Sequence, residues 1–146
     1  MAINEDLLRP FEAREIEAAL NQMESATALG PDGLPPLFYM QYWSKVGVEV
    51  SNAMLAVLNS GKIPENLNHI FLILIPKKQS PRRVVDFRPI SLSNVLYKLI
   101  AKVLANRLKP LLPHLIFEFQ SAFMSERIIT DNILIAHETL HFLKAK

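Results

Sequence analysis

The chain has 146 residues, of which 50% are hydrophobic and 21% are charged, and its formal net charge is +2. This composition predicts one domain with a hydrophobic core and excludes a disordered tail. The absence of cysteine excludes a disulfide framework and cysteine-based zinc sites and favours an intracellular protein. We expect no signal peptide and no membrane association, because the first residues lack an apolar core and no apolar run could span a bilayer.

The first part of the chain is predicted to be helical. A helix is expected over residues 11–25, with an apolar face made of Ile16, Ala19, Leu20 and Met23. The GPDG sequence at 30–33 predicts a turn in which Asp32 caps the local backbone. A short aromatic helix over 37–43 follows, and then a longer helix that ends at Gly61. The apolar stripe of that longer helix is predicted to be Val46, Val50, Ala53, Val57 and Leu58.

A β-hairpin and two helices are predicted for the remainder. The apolar run 70–75 and the segment 84–87 indicate two strands joined by a turn at Ser80-Pro81. A helix is expected over 94–108, ended by Pro110 and Pro113. Its inward residues are predicted to be Val95, Leu99, Val103 and Leu104. A loop over 114–130 precedes a last helix over 131–146, capped by Thr130. The fold class is therefore α+β, mainly helical with one β-hairpin.

Positive charge is concentrated in one segment. Nine of the 16 basic residues lie between Lys77 and Lys109, where Asp86 is the only acid. These nine residues are Lys77, Lys78, Arg82, Arg83, Arg88, Lys98, Lys102, Arg107 and Lys109. The clustering indicates a local polyanion site, since arginine forks and lysine point charges both hold phosphates. A soluble turn and a solvated helix face explain the same charges without any ligand.

Residues 74–98 closely resemble the fingers of reverse transcriptases from plant non-LTR (LINE-type) retrotransposons. The resemblance extends to the GPDG turn and to segments 87–92, 103–108, 120–123 and 130–132, in the family's order. It implies a partial right-hand polymerase fold. Residues 1–146 would form a partial reverse transcriptase domain, with a helical lead-in at 1–29, the fingers at 30–130 and a helix toward a missing palm at 131–146.

The resemblance also implies the binding residues. Lys77, Arg82 and Arg83 would contact the triphosphate of a deoxynucleotide. Nucleic-acid contacts would come from Lys78, Arg88, Gln120 and Arg127. For Arg88 and Arg127 a structural ion pair, with Asp86 or Asp131, is the alternative. The aromatic residues Phe38, Tyr39, Tyr42 and Trp43 could stack on bases, but their helical spacing favours a place in the core.

No catalytic or metal-binding residue is assigned. The family's polymerases hold two metal ions with palm aspartates, and none of Asp6, Asp32, Asp86 and Asp131 falls in those motifs. Full-length relatives would use Mg²⁺, an RNA template, a DNA primer and deoxynucleotides, with the nucleus as a reasonable location. This chain alone is expected to bind no specific metal and to be inactive. The alternative is a non-catalytic, nucleic-acid-binding relic of such an element.

A second motif in the sequence is typical of a different class of enzyme. The sequence HETLH at 137–141 matches the zinc metalloprotease pattern, with His137 and His141 as ligands and Glu138 as general base. Only five residues follow His141, so a third ligand at the usual distance downstream is not expected. The five-residue pattern also arises by chance, which makes a metalloprotease the remote alternative.

Overall fold

The computed structural model describes residues 7–117, 120 and 128–144. The chain divides into two compact units, residues 1–106 and 107–146. The elements that begin in the first unit are α1 (Ala13–Asn21), α2 (Pro36–Gln41), α3 (Trp43–Ser60), β1 (Ile70–Pro76), β2 (Phe87–Ser93) and α4 (Val95–Leu108). Single 3₁₀ turns occupy Glu65–Asn68 and Val84–Asp86. The predicted mixture of helices with one antiparallel hairpin is confirmed.

Helix α1 buries the face that its sequence predicts. Ile16, Ala19 and Leu20 are at most 1% exposed. The helix begins where the Glu15 carboxylate accepts a hydrogen bond of 2.9 Å from the Glu12 backbone N–H, which satisfies one donor of the first turn. The helix ends at Asn21, earlier than the predicted residue 25. The backbone N–H groups of Gln22 and Met23 donate to the carbonyls of Ala19 and Leu20, three residues back, and these 3₁₀-type bonds close the last turn.

The buried face of helix α3 differs from the apolar stripe predicted for it. It ends at Gly61, whose φ of +69° is the left-handed conformation expected of a helix C-cap. Its buried residues are Gly47, Ser51, Met54 and Val57, whereas Ala53 is exposed. Gly47 is buried because the Trp43 ring lies across it, and a Cβ at this position would come within 2.9 Å of the ring. Such a close approach is open only to glycine.

The core of the first unit lies between α1, α2, α3 and α4. Its buried hydrophobic residues are Ile16, Ala19, Leu20, Tyr39, Met54, Val57, Val95, Leu99, Ile100 and Val103. The predicted inward position of Leu104 is wrong, since this side chain is 49% exposed. Leu104 lies about 140° around the helix from Leu99, outside the buried stripe. Ile100, which was not predicted to face inward, is buried in the same stripe.

The hairpin pairs β1 with β2 in antiparallel register, from Ile70 opposite Ser93 to Pro76 opposite Phe87. The predicted first strand is confirmed. The predicted strand over 84–87 is wrong, because Val84–Asp86 is a 3₁₀ turn and the second strand begins at Phe87. All six apolar side chains from Ile70 to Ile75 are exposed, by 44–61%. No described element of the first unit therefore covers β1.

The second unit contains a 3₁₀ turn at Lys109–Leu111, then α5 (Leu112–Leu115) and α6 (Ile129–Lys144). Pro110 and Pro113 each occupy the first turn of an element, where proline is tolerated. Helix α4 thus ends as expected, but a short helix occupies the start of the predicted loop. None of the helices in the described part of the chain combines the length and hydropathy needed to cross a bilayer.

The start of α6 differs from the prediction. The helix begins at Ile129, so Thr130 lies inside it and is not its cap. Instead, the Asp131 carboxylate accepts a hydrogen bond of 3.1 Å from the Ile128 backbone N–H. This bond satisfies the backbone donor of the residue before the helix. The negative charge of Asp131 also interacts favourably with the positive end of the helix dipole.

Candidate phosphate-binding loop

Residues 77–86, which we call the basic loop, connect β1 to β2. The Lys77 backbone N–H donates to the Asp86 carbonyl at 2.8 Å, directly after the Pro76–Phe87 pair of the hairpin. The loop therefore begins and ends on a closed backbone contact. Inside it, the Asp86 backbone N–H donates to the Arg83 carbonyl at 2.9 Å and forms the 3₁₀ turn.

Asp86 is the centre of the basic loop. One carboxylate oxygen, Oδ2, accepts hydrogen bonds from the backbone N–H groups of Arg82 at 2.9 Å and Arg83 at 3.0 Å. The other oxygen, Oδ1, pairs with the Lys78 ammonium at 2.9 Å. The Asp86 side chain is only 7% exposed. A short acidic side chain that captures nearby backbone donors offers the chain an alternative to the strand ladder.

These donors change the acidity of Asp86. The Arg82 backbone N–H, followed by the Lys78 ammonium and the Arg83 backbone N–H, holds the pKa of the Asp86 carboxyl below its ordinary value, against a smaller opposing effect of desolvation. Each donor stabilises the charged form more than the neutral one. Asp86 is therefore a carboxylate throughout the neutral pH range.

The four cations of the basic loop are placed in two ways. The Lys77 ammonium donates to the Val85 carbonyl at 2.9 Å, and the Lys78 ammonium pairs with Asp86. Arg82 and Arg83 are instead held by their backbones, and their side chains are exposed. Within the described residues neither guanidinium forms an ion pair. The loop thus presents two exposed arginines next to two lysines that contact the loop itself.

The remaining predicted binding residues lie elsewhere. Arg88 is an exposed residue of β2, opposite Ile75. Its suggested ion pair with Asp86 is wrong, because the described contacts give that carboxylate to Lys78 and the loop backbone. Gln120 is exposed. Arg127, and with it the suggested pair with Asp131, lies outside the described residues.

The GPDG turn packs against the junction of β2 and α4. A Cβ on Gly30 would lie 2.5 Å from the Ser93 carbonyl carbon, so the two backbones are in direct contact. The Asp32 backbone N–H donates to Asn94 Oδ1 at 3.1 Å, and the Lys98 ammonium donates to the Ala28 carbonyl at 3.2 Å. These contacts join the helical lead-in to the end of the hairpin.

Asp32 has the local role that its turn predicts. Its carboxylate accepts a hydrogen bond of 3.3 Å from the Leu34 backbone N–H, which confirms the predicted backbone cap. The nearby aromatic residues are divided between core and surface. Tyr39 is 5% exposed, and Phe38 contacts its ring edge-on, whereas Tyr42 is 51% exposed. Tyr39 is therefore a core residue and not a stacking platform.

No metal site is formed by the described residues. In residues 7–117, 120 and 128–144, no group of three histidine, aspartate or glutamate side chains lies close enough to hold a metal ion. His137 and His141 are exposed on α6. The HETLH sequence is thus helical, as the metalloprotease motif requires, but it gains no third ligand from the part of the chain described.

Comparison with known proteins shows what the chain is similar to. No protein-family model matches the chain. Over 140 residues it is 31% identical to the Transposon TX1 uncharacterized 149 kDa protein of Xenopus laevis, which covers 96% of the chain and 11% of that protein. The chain is therefore related to a protein of a transposable element.

Two further relatives are described as Retrovirus-related Pol polyproteins. One, from the type-2 retrotransposable element R2DM of Drosophila melanogaster, is 29% identical over 94 residues, which cover 64% of the chain and 9% of the polyprotein. The other, from the type-1 retrotransposable element R2 of Nasonia vitripennis, is 27% identical over 106 residues, which cover 70% of the chain and 10% of the polyprotein. The chain spans about a tenth of the length of the curated relatives it matches.

Proposed function

We propose that this chain forms the fingers of a reverse transcriptase from a non-LTR retrotransposon, and that its basic loop contacts the phosphates of an incoming deoxynucleotide. The single observation that carries this proposal is the ordered loop with the exposed side chains of Arg82 and Arg83. Guanidinium groups bind phosphate oxygens through two parallel hydrogen bonds. The relationship to retrotransposon Pol polyproteins supports a polymerase as the larger context.

The proposed contacts divide by ligand. Arg82 and Arg83, together with Lys77, would hold the triphosphate. The sequence predicts template or primer contacts for Lys78, Arg88, Gln120 and Arg127. We keep this proposal for Arg88, Gln120 and Arg127 only, because the Lys78 ammonium is paired with Asp86. The assignment to plant LINE-type elements rests on the finger motif alone, because the three relatives come from Xenopus, Drosophila and Nasonia. A whole enzyme of this kind would work inside the cell, at nuclear DNA.

The described carboxylates do not fit a two-metal site. Asp32 holds the GPDG turn, Asp86 holds the basic loop and Asp131 holds the start of α6. Polymerase chemistry requires carboxylates that converge on two ions about 4 Å apart. We therefore propose that these three residues are structural and that Mg²⁺ and its ligands belong to the whole enzyme.

A salt titration tests the binding role. The chain should bind single-stranded RNA with a Kd of roughly 10⁻⁴–10⁻⁶ M at physiological salt, and its affinity should fall as salt rises. Replacing Lys77, Arg82 and Arg83 by alanine should flatten that dependence. A matched triple replacement of Lys45, Lys62 and Lys144, exposed lysines outside the loop, should leave the slope nearly unchanged. Equal slopes for both triple variants would reject the loop as the polyanion site.

A polymerase assay separates an active enzyme from a binding protein. The chain alone should not extend a DNA primer on an RNA template with Mg²⁺ or Mn²⁺, because its described aspartates have structural roles. Template-dependent extension by homogeneous protein would contradict this expectation. Salt-dependent RNA binding without extension is the result expected of both the fingers and a non-catalytic relic. Zinc-dependent peptide cleavage that Glu138→Gln abolishes would favour the metalloprotease alternative instead.

A further inference from the structure

The basic loop contains four cations and one acid, but the contacts of its cations are unequal. Lys77 and Lys78 direct their ammonium groups to acceptors within the loop, at 2.9 Å in each case. Arg82 and Arg83 contribute backbone donors to Asp86 and keep their side chains exposed. The acid therefore sits between a lysine that it neutralises and two arginines whose backbones it fixes.

We propose that Asp86 is a positioning residue that decides which cations of the basic loop bind linked phosphates. It occupies the Lys78 ammonium and fixes the backbone that carries Arg82 and Arg83, so that the phosphates meet the two guanidinium groups and not Lys78. This inference rests on the proposed function, because it requires that the loop binds a polyanion. It also gives Lys78 a structural role, whereas the sequence predicts a nucleic-acid contact for this residue.

The two carboxylate oxygens have separate tasks. Oδ2 receives both backbone N–H groups, and Oδ1 receives the Lys78 ammonium. A phosphate that captured Lys78 would leave a largely buried carboxylate without its cationic partner, which is costly. The arginine side chains carry no such cost, since no described ion pair has to be broken when they bind. Linked phosphates should therefore bind at the arginines first.

The arrangement persists over the whole neutral pH range. The charged groups facing Asp86 are the Lys78 ammonium and, through their backbones, Arg82 and Arg83, with the Lys77 ammonium on the adjacent Val85 carbonyl. The Arg82 backbone N–H first, then the Lys78 ammonium and the Arg83 backbone N–H, hold the pKa of Asp86 below the ordinary value of 3.8. A lowered pKa means that the stabilisation is present above 3.8 and is lost only as the pH falls through the lower folded value.

A double-mutant cycle between Lys78 and Asp86 tests the inference. In Asp86→Asn, the amide oxygen can still accept the two backbone donors, but the amide nitrogen cannot pair with an ammonium. Lys78 should then become available to a ligand. We expect Lys78→Ala to leave the salt slope of RNA binding unchanged in the wild-type chain. In the Asp86→Asn chain the same replacement should reduce the slope by about 0.7, the value of one phosphate contact to a single strand.

Two probes distinguish the source of the phosphates. Single-stranded oligouridylate presents a nucleic-acid backbone, and inorganic triphosphate presents the chain of a nucleotide. Coupling between Lys78 and Asp86 in either titration supports the positioning role and identifies that ligand. The absence of coupling in both titrations overturns it. Glu65→Gln serves as the charge control, because it removes an exposed negative charge outside the loop and should not make Lys78 contribute.

The design separates the failure of this inference from that of the proposed function. If Arg82→Ala with Arg83→Ala retains the wild-type slope, the loop is not the polyanion site and the proposed function fails. If that variant flattens the slope while Lys78→Ala removes one contact from the wild-type chain, only the inference is overturned. This second measurement does not use Asp86→Asn, so it decides the question even if that variant fails to fold.

Discussion

The helical core and the hairpin of the first unit are stabilised in different ways. Leu99 and Ile16 in the core are fully buried, at 0% exposure, whereas the six apolar side chains from Ile70 to Ile75 in β1 are each at least 44% exposed. The core therefore owes its stability to the removal of apolar surface from water. The hairpin owes its order to its backbone ladder, to the contacts of Asp86 and to the junction with the GPDG turn. A two-stranded hairpin alone is marginally stable in water.

This difference separates folding from binding. The cations proposed to bind phosphates lie on the element that contributes least to the core, so their replacement should cost little stability. The residues that hold the unit together lie outside the basic loop and carry no charge. Substitutions in the two regions should consequently change different measurements, and the following experiments test that separation.

The largest effect is expected in the core. Leu99→Ala should lower the free energy of unfolding by about 2–5 kcal/mol, because it removes buried methyl groups and leaves a cavity. Leu104→Ala on the same helix is the matched control, since Leu104 is 49% exposed, and it should cost well under half as much. Urea denaturation measures both. Equal losses would show that the buried stripe of α4 is wrongly placed.

A smaller loss is expected where the two regions meet. Gly30→Ala places a Cβ 2.5 Å from the Ser93 carbonyl carbon, so one backbone segment must move, at a cost of about 1–3 kcal/mol. Gly33→Ala is an informative comparison, because a Cβ there meets no atom within 4 Å but the residue has a φ of +68°. It should cost about 1 kcal/mol from backbone strain alone.

The two glycine substitutions should differ in their effect on the amide resonances at the end of the hairpin. Movement at Gly30 should also alter the amide resonances of Ser93 and Asn94, whereas strain at Gly33 should leave them in place. If Gly30→Ala leaves both stability and these resonances unchanged, the close contact between the GPDG turn and the end of β2 does not exist in solution.

Local sequence patterns predicted much of the helical part. The period of the apolar residues gave the buried face of α1, and Gly61 gave the end of α3. The face of α3 was misplaced because Gly47 has no side chain and is buried only by the ring that covers it. Val84 and Val85 favour a strand, but Asp86 captures the backbone donors of the preceding residues and forms a turn instead.

The position of the candidate site was predictable, but its internal contacts were not. The cluster of cations marked the basic loop, and the apolar run marked the strand before it. The sequence marks Asp86 as the only acid among nine cations and as a partner for Arg88. It does not show that the carboxylate accepts the backbone donors of its own loop, although aspartate side chains commonly bond to nearby backbone groups in turns. The bond between Asp32 and Asn94 joins residues 62 positions apart, and no local pattern in one sequence contains such a contact.

The dependence of stability on alkaline pH tests the burial of Tyr39 in the core. Burial, and then the negative charge of Asp32, raises the pKa of the Tyr39 hydroxyl above its ordinary value of 10.0. The neutral form is favoured in the folded chain, so the stabilisation is complete below pH 10.0 and is lost as the pH rises through the folded value. Stability should fall over this range in the wild-type chain and fall less in Tyr39→Phe. Identical alkaline profiles would show that Tyr39 titrates as an exposed phenol.

The smallest loss of stability is expected in the hairpin. A large loss there would contradict the difference between the core and the hairpin. Ile73 is 45% exposed and lies opposite Ile90, which is 41% exposed. Ile73→Thr keeps a β-branched side chain that favours a strand. It should therefore cost about 1 kcal/mol or less, the value of one cross-strand contact. Ile16→Thr, at a fully buried position, is the matched control and should cost several times more, because it buries a hydroxyl in the core.

Urea denaturation of both variants decides between the two regions. Binding of RNA should be retained in Ile73→Thr, because the basic loop is closed by the Lys77–Asp86 backbone bond and not by the side chains of β1. A loss of about 3 kcal/mol or more in Ile73→Thr, the range of a core position, would mean that β1 is covered in solution. The hairpin would then belong to a buried core, and the separation of folding from phosphate binding would fail.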